Sequence, residues 1–241
     1  MILQPSLAER SVSSSSEDFS TVPANYRKGA PFTPHQRRRH RAVLTALQGL
    51  SGRLLDYGCG YGDLTYALSR THDVCGVDLD PARVNFARHE YSPLEFRVCS
   101  PDDAPYPDAS FDVVASVVVL NFIPAPHAYL QSIRRLLRRD GHLVLACANV
   151  PHVQNWFRRL LRRGKAPLPA CHRTQQEVRE LLKAEGFQVV NESYFYDGPF
   201  ATWKNAGDVV IGIIEQILSL LRVSTTARYF IMVARKEDCE R

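Results

Sequence analysis

The stretch that most constrains this chain is Leu54-Leu55-Asp56-Tyr57-Gly58-Cys59-Gly60-Tyr61-Gly62-Asp63, a short apolar run followed by glycines at alternate positions. It predicts a buried strand that stops in a turn stripped of side chains and then opens into a helix. A second apolar run, Val74-Cys75-Gly76-Val77, ends in Asp78, sixteen residues after Gly62. Glycines let the main chain come close to a ligand, and a carboxylate one strand later accepts hydrogen bonds from a ribose diol. The pair suits a nucleoside lying across the edge of a parallel sheet. A dinucleotide fingerprint, G-x-G-x-x-G, matches less well, because Gly62 falls one residue early for it.

The surrounding pattern alternates. Strands are predicted at about 53–57, 73–78, 94–99, 112–118 and 142–148, with helices at about 62–70, 81–90 and 125–138 between them. Strands alternating with helical segments imply right-handed crossovers, hence an α/β fold: a Rossmann-like, doubly wound, mostly parallel sheet with helices on both faces. Asp140-Gly141 marks the stop before the fifth strand. Before this core, Pro34 precedes a helical pattern of Val43, Leu44, Leu47 and Leu50. After it, Thr174-Gln175-Gln176-Glu177 has the form of a capping box and Gly186 closes the helix it opens. Strands follow at Phe187–Val190 and Ala227–Ala234. Residues 1–24, with a serine run, are expected to form a flexible tail. Residues 25–241 are expected to form one domain, in which 150–173 and 194–222 are insertions on the ligand side, each with a helix of its own.

Composition narrows the class further. A length of 241 residues, 45% hydrophobic and 23% charged, is ordinary for a folded α/β domain. The formal net charge is +5, but arginines cluster at 37–41, 134–139 and 158–163. Such clusters are compatible with nucleic acid or an anionic membrane surface, and more simply with solvated helix faces. Six cysteines without a C-x-x-C pair disfavour structural zinc or a disulfide framework. The apolar stretch 209–221 is too short and too interrupted for a membrane span, and the first ten residues lack the form of a signal peptide. A cytoplasmic location is the expectation.

The ordered motifs resemble the class I S-adenosylmethionine-dependent methyltransferases of the small-molecule group. The carriers are Leu55-Asp56-Tyr57-Gly58-Cys59-Gly60-Tyr61-Gly62, then Gly76-Val77-Asp78-Leu79-Asp80-Pro81, then Pro105 to Asp112 and Leu136 to Leu143. The resemblance implies a seven-stranded sheet whose one antiparallel strand, Arg228–Ala234, lies beside the fifth. It also implies S-adenosyl-L-methionine as cofactor. Gly58, Gly60 and Gly62 would then line its methionine portion, Asp56 would order their turn, Asp78 would hold the ribose and Leu79 would pack on adenine. An N-cap is the alternative role for Asp78, although Asp80 fits that job better. The position of the adenine-amine acceptor of many relatives falls on Ser100, with Asp102 close by. Val117 joins the set at the end of the fourth strand, and Tyr26 is placed to close over the cofactor.

Where ubiquinone-pathway O-methyltransferases carry acids and a histidine that can hold a divalent metal, this chain reads Val118-Val119-Leu120-Asn121-Phe122. Val118 and Phe122 offer no such ligand, so no metal site is expected. His152 and His172 are the candidate catalytic bases by topology. The resemblance implies in-line methyl transfer to a small-molecule acceptor, and the aromatic residues at 194–203 suit a lipophilic or aromatic one. Methylation of RNA or protein, or cofactor binding without turnover, stand as the alternatives. The absence of an N-P-P-Y-like tetrapeptide weighs against nucleic acid, whereas peripheral membrane contact stays open.

Overall fold

The computed structural model describes residues 19–30, 32–149, 171, 173–195 and 229–237. Seven strands, β1 (Arg53–Tyr57), β2 (Asp73–Asp78), β3 (Phe96–Val98), β4 (Phe111–Val117), β5 (Leu137–Ala148), β6 (Phe187–Phe195) and β7 (Tyr229–Lys236), form one sheet. Their order is β3-β2-β1-β4-β5-β7-β6. β1 to β5 pair in parallel, while β7 runs antiparallel between β5 and β6. The expected doubly wound sheet with one antiparallel strand is therefore present. The helices are α1 (Pro34–Ala46), α2 (Asp63–Leu68), α3 (Pro81–Glu90), α4 (Pro126–Leu136) and α5 (Gln175–Ala184).

Strands covered on both faces are apolar at consecutive positions, since neighbouring side chains enter opposite layers. Leu54, Val113 and Val144 pack with Val43, Leu47 and Leu64 under α1 and α2. Their neighbours Leu55, Val114 and Leu143 join Leu130, Ile133, Val178 and Leu182 under α4 and α5. Thr33 caps α1 and Thr174 caps α5, each in a reciprocal capping box, with Gln36 and Glu177 as the returning side chains. Replacing Thr174 with alanine should lower the unfolding free energy by about 1 kcal/mol, readable from urea titrations.

Two boundaries differ most from the sequence reading, while the other strand ends shift by no more than two residues. β5 starts at Leu137, which pairs with Phe111, whereas Val113 pairs with His142. The residues between form a bulge in which Asp140 takes a φ of 56°, so Asp140-Gly141 kinks the strand and does not precede it. β6 runs on to Phe195 because its whole length pairs with β7. In the stretch read as tail, the Phe19 ring meets Phe86 edge-on at 5.4 Å, and Arg27 donates to the Phe19 carbonyl.

The arginines of 134–138 are spent within the chain. Arg135 donates to the carbonyls of Ala104 and Tyr106 and to Asp108, Arg138 to Asp112, and Arg134 to the Glu237 carbonyl. Among the described residues, no helix is long and apolar enough to cross a membrane. The predicted helices within 150–164 and 205–222 lie outside the described residues.

Candidate functional site

The sheet reverses its winding between β1 and β4, and a cavity of about 690 Å³ opens past the carboxyl ends of these strands and β2. Open α/β sheets present such a crevice at this switch point, where loops on either side diverge. Its floor is the turn after β1. Gly58 and Cys59 both donate to the Val77 carbonyl, and the Gly60 N–H donates to Asp78 Oδ2 at 2.8 Å. The turn is thus laced to β2.

Gly58 cannot be another residue here. Its φ is +87°, and a Cβ would stand 2.2 Å from Val119 Cγ2. Gly62, with a φ of +84°, precedes α2 and is crowded by Ala87, Tyr91 and Phe96, which lets α2 press onto α3. Gly58 and Gly60 line the cavity, while Gly62 stands behind it.

Asp78 lines the cavity at the tip of β2, its Oδ1 accepting from the Asp80 N–H at 3.0 Å. The helix cap is Asp80, which accepts from Ala82 and Arg83. Leu79 lines the mouth and is 61% exposed. Tyr26 also lines the cavity; its ring lies 4.7 Å from Tyr61, and Arg83 covers the far part of that pair at 5.6 Å from Tyr61. Tyr91 donates its hydroxyl to the Tyr26 carbonyl, which anchors this arm to α3. Val117 takes a place on the β4 side.

Ser100 and Asp102 are not brought to the cavity; both are exposed. Ser100 bridges to Asp103 in a tight turn that directs both side chains outward, and Cys99 and Pro101 form the wall. Tyr57 holds this loop by donating to the Pro101 carbonyl at 2.8 Å. His152 and His172 lie outside the described residues.

Asp56 is 1% exposed and accepts the Thr65 hydroxyl at 2.7 Å, joining β1 to α2. Burial pushes its carboxyl up to about 7, against a counter-pull from the Thr65 hydrogen bond. A carboxyl whose folded value is raised stabilises the native state fully below its unfolded value of about 4, and this contribution is lost as pH rises through the folded value. Stability should therefore decline between pH 4 and 7, and Asp56→Asn should flatten that limb in urea titrations. Burial also raises the Cys59 thiol well above its ordinary range and Cys99 to about 11, so both cavity-lining thiols stay protonated near neutrality.

Sequence reasoning missed the opposite wall. Val118, Val119, Phe122, Ile123 and Pro124 line it, with Phe122 59% exposed. Val118 holds a φ of +66°, a conformation that a β-branched residue adopts only under constraint. The constraint is visible: its N–H is tied to the Ala146 carbonyl, and Arg173 clamps the next turn through the carbonyls of Leu120 and Ile123. Also missed was Asp63, 4% exposed, which accepts from Gln36, Arg39 and His40 of α1. Arg39 lines the cavity beside it, its Nε buried and without a hydrogen-bond partner among the described residues. The sequence signal was an acid directly after the third glycine with donors at i, i+3 and i+4 on the preceding helix.

The sheet is Rossmann-like, with a glycine-floored crevice and an acid at the tip of its second strand. Residues 55–145 match the family model described as a methyltransferase domain. A fatty-acid O-methyltransferase of Mycolicibacterium smegmatis is 33% identical over 122 residues, covering 48% of this chain and 43% of that protein. A phthiotriol/phenolphthiotriol dimycocerosates methyltransferase of Mycobacterium leprae is 34% identical over 123 residues, covering 48% and 44%. The chain thus spans less than half the length of these relatives. The solved structure of an S-adenosylmethionine-dependent methyltransferase from Methanosarcina mazei shares the fold, with a TM-score of 0.60 at 19% identity, over 81% of this chain and 97% of that one.

Proposed function

We propose that this chain is an S-adenosylmethionine-dependent methyltransferase that alkylates a small-molecule acceptor by in-line displacement. One observation carries the reading: bare main chain at Gly58 and Gly60 lines a cavity of about 690 Å³, and the Gly60 N–H is hydrogen-bonded to the Asp78 carboxylate across its floor. The fit to the cofactor rests on this cradle, where a Cβ at Gly58 would collide with Val119, and on the Arg39 Nε at its wall, which has no hydrogen-bond partner among the described residues. Asp78 would take the ribose hydroxyls, Gly58 and Gly60 the methionine chain, Arg39 its carboxylate, and Leu79 with Pro101 the adenine faces.

When bound, the sulfonium supplies an activated methyl group whose leaving group departs neutral. The protein's share is alignment and exclusion of water, which can lower the barrier by several kcal/mol. Tyr26, packed at a tilt against Tyr61 and anchored to Tyr91, is the arm that would shield one side. Val117, Val118, Val119, Phe122 and Ile123 make the opposite wall apolar, which favours a lipophilic or aromatic acceptor. Tyr26 lines the cavity without filling it, and this weighs for turnover over a scaffold role. Incubation with methyl-labelled S-adenosylmethionine and a panel of fatty acids, phenols and quinols should transfer label to one class. Labelling of RNA or protein alone would reject the small-molecule reading.

A further inference from the structure

Resting on that reading, the cluster behind Arg39 carries a second assignment. Asp63 Oδ2 accepts from Gln36 Nε2 at 3.1 Å, Arg39 Nη2 at 2.8 Å and His40 Nε2 at 3.0 Å. All three donors come from one face of α1, at the i, i+3 and i+4 spacing that aligns side chains on a helix.

Two of the donors are themselves fixed. The Gln36 Oε1 accepts from the Thr33 N–H and hydroxyl and from Asn25 Nδ2, which forces its amide nitrogen toward Asp63. His40 is 4% exposed, edge-on to Phe32 at 4.6 Å, with Nδ1 buried and unpartnered. With no acceptor at Nδ1 among the described residues, Nε2 is the ring nitrogen whose hydrogen meets Asp63.

Arg39 is different: it is the one donor of the three that lines the cavity, and only one edge of its guanidinium is used by Asp63. A fork of five donors, held at one nitrogen, keeps the rest in a fixed direction. Gln36 and His40 share the same carboxylate oxygen, so the anion cannot swing away to follow the arginine.

We propose that Asp63 is a positioning residue, clamped by Gln36 and His40, that aims the free edge of Arg39 at the carboxylate of the bound cofactor. Electrostatics alone predicts the opposite of this proposal. Removing a negative charge near an incoming carboxylate would strengthen binding, whereas removing the clamp weakens it. The sign of the effect therefore separates the two roles.

The test is calorimetric titration of Asp63→Asn and wild type with two probes, S-adenosylmethionine and 5′-methylthioadenosine, which lacks the amino-acid portion. The expected result is an increase of about tenfold in Kd for S-adenosylmethionine, or about 1.4 kcal/mol, with methylthioadenosine affinity unchanged. Arg39→Ala should show the same selective loss, and adding Asp63→Asn to it should do nothing more. Should Asp63→Asn fail to fold, Arg39→Lys serves instead: it keeps the charge, cannot serve Asp63 and the ligand together, and should lose the same selectivity. Tightened or unchanged binding of S-adenosylmethionine, or an equal loss for both probes, overturns the proposal. A wild-type chain that binds methylthioadenosine but not S-adenosylmethionine also overturns it. One that binds neither overturns the function reading first.

Discussion

Gly58→Ala is expected to remove cofactor binding and to destabilise the fold together. The new Cβ would meet Val119 Cγ2 at 2.2 Å, and alanine would have to hold a φ of +87°. Overpacking and a left-handed conformation each cost about 1–3 kcal/mol, so a loss of several kcal/mol in urea unfolding is anticipated. Relief must come by pulling the turn away from β4, which breaks the register of Gly60 with Asp78. The clash can be isolated by pairing the change with Val119→Ala. The double variant should recover stability relative to Gly58→Ala, because the methyl group then occupies space that the valine vacates. If the double variant is less stable than either single one, the clash is not the cause.

Asp78→Ala is the second large effect. It strips the acceptor from the Gly60 and Asp80 N–H groups as well as from any ribose hydroxyl. Affinity for S-adenosylmethionine should fall by about 1–3 kcal/mol, the usual consequence of leaving a buried polar partner unpaired. Asp78→Asn, which keeps one carbonyl oxygen, should fall between. Asp80→Ala offers the contrast: it removes the cap of α3 and should lower stability by about 1 kcal/mol while leaving nucleoside affinity in place. Equal affinity of Asp78→Ala and wild type by calorimetry would take Asp78 out of the site.

The pH dependence has two limbs with different owners. Burial opposes ionisation of Asp63, but its hydrogen bond from His40 and the charge of Arg39 prevail and hold its carboxyl below the usual range. A depressed carboxyl gives stability that is present above its unfolded value and lost as pH falls through the folded one. Acid unfolding should therefore move upward in pH in Asp63→Asn, whereas the decline between pH 4 and 7 belongs to Asp56.

Why was so much of the fold legible? The five parallel strands carry both core layers on adjacent residues, so Leu54-Leu55 and Val113-Val114 announce buried strands without any knowledge of their partners. Helix ends were equally plain, because Asp80-Pro81 and the Thr174–Glu177 box cap locally. The start of β5 was not, since a strand that resumes after a bulge owes its first residue, Leu137, to pairing with Phe111 and not to its own neighbours. Around the cavity, Gly58, Gly60 and Asp78 belong to short local motifs, so the sequence alone draws attention to them. Arg39 and Asp63 are 24 residues apart and meet only because α1 packs against the start of α2. Motif spacing brings the loop at 99–102 to the cavity, but it does not say which residues line it: Cys99 and Pro101 do, with the loop held by the Tyr57 hydroxyl and the Ser100–Asp103 bridge.

Titration of the wild-type chain with S-adenosylmethionine, followed by heat and by melting temperature, bears most directly on all of this. One site per chain is expected, with a gain of about 2.7 kcal/mol in stability at a hundredfold excess over Kd. No heat and an unmoved melting temperature at millimolar nucleoside would contradict the reading of the glycine-floored crevice as a cofactor site.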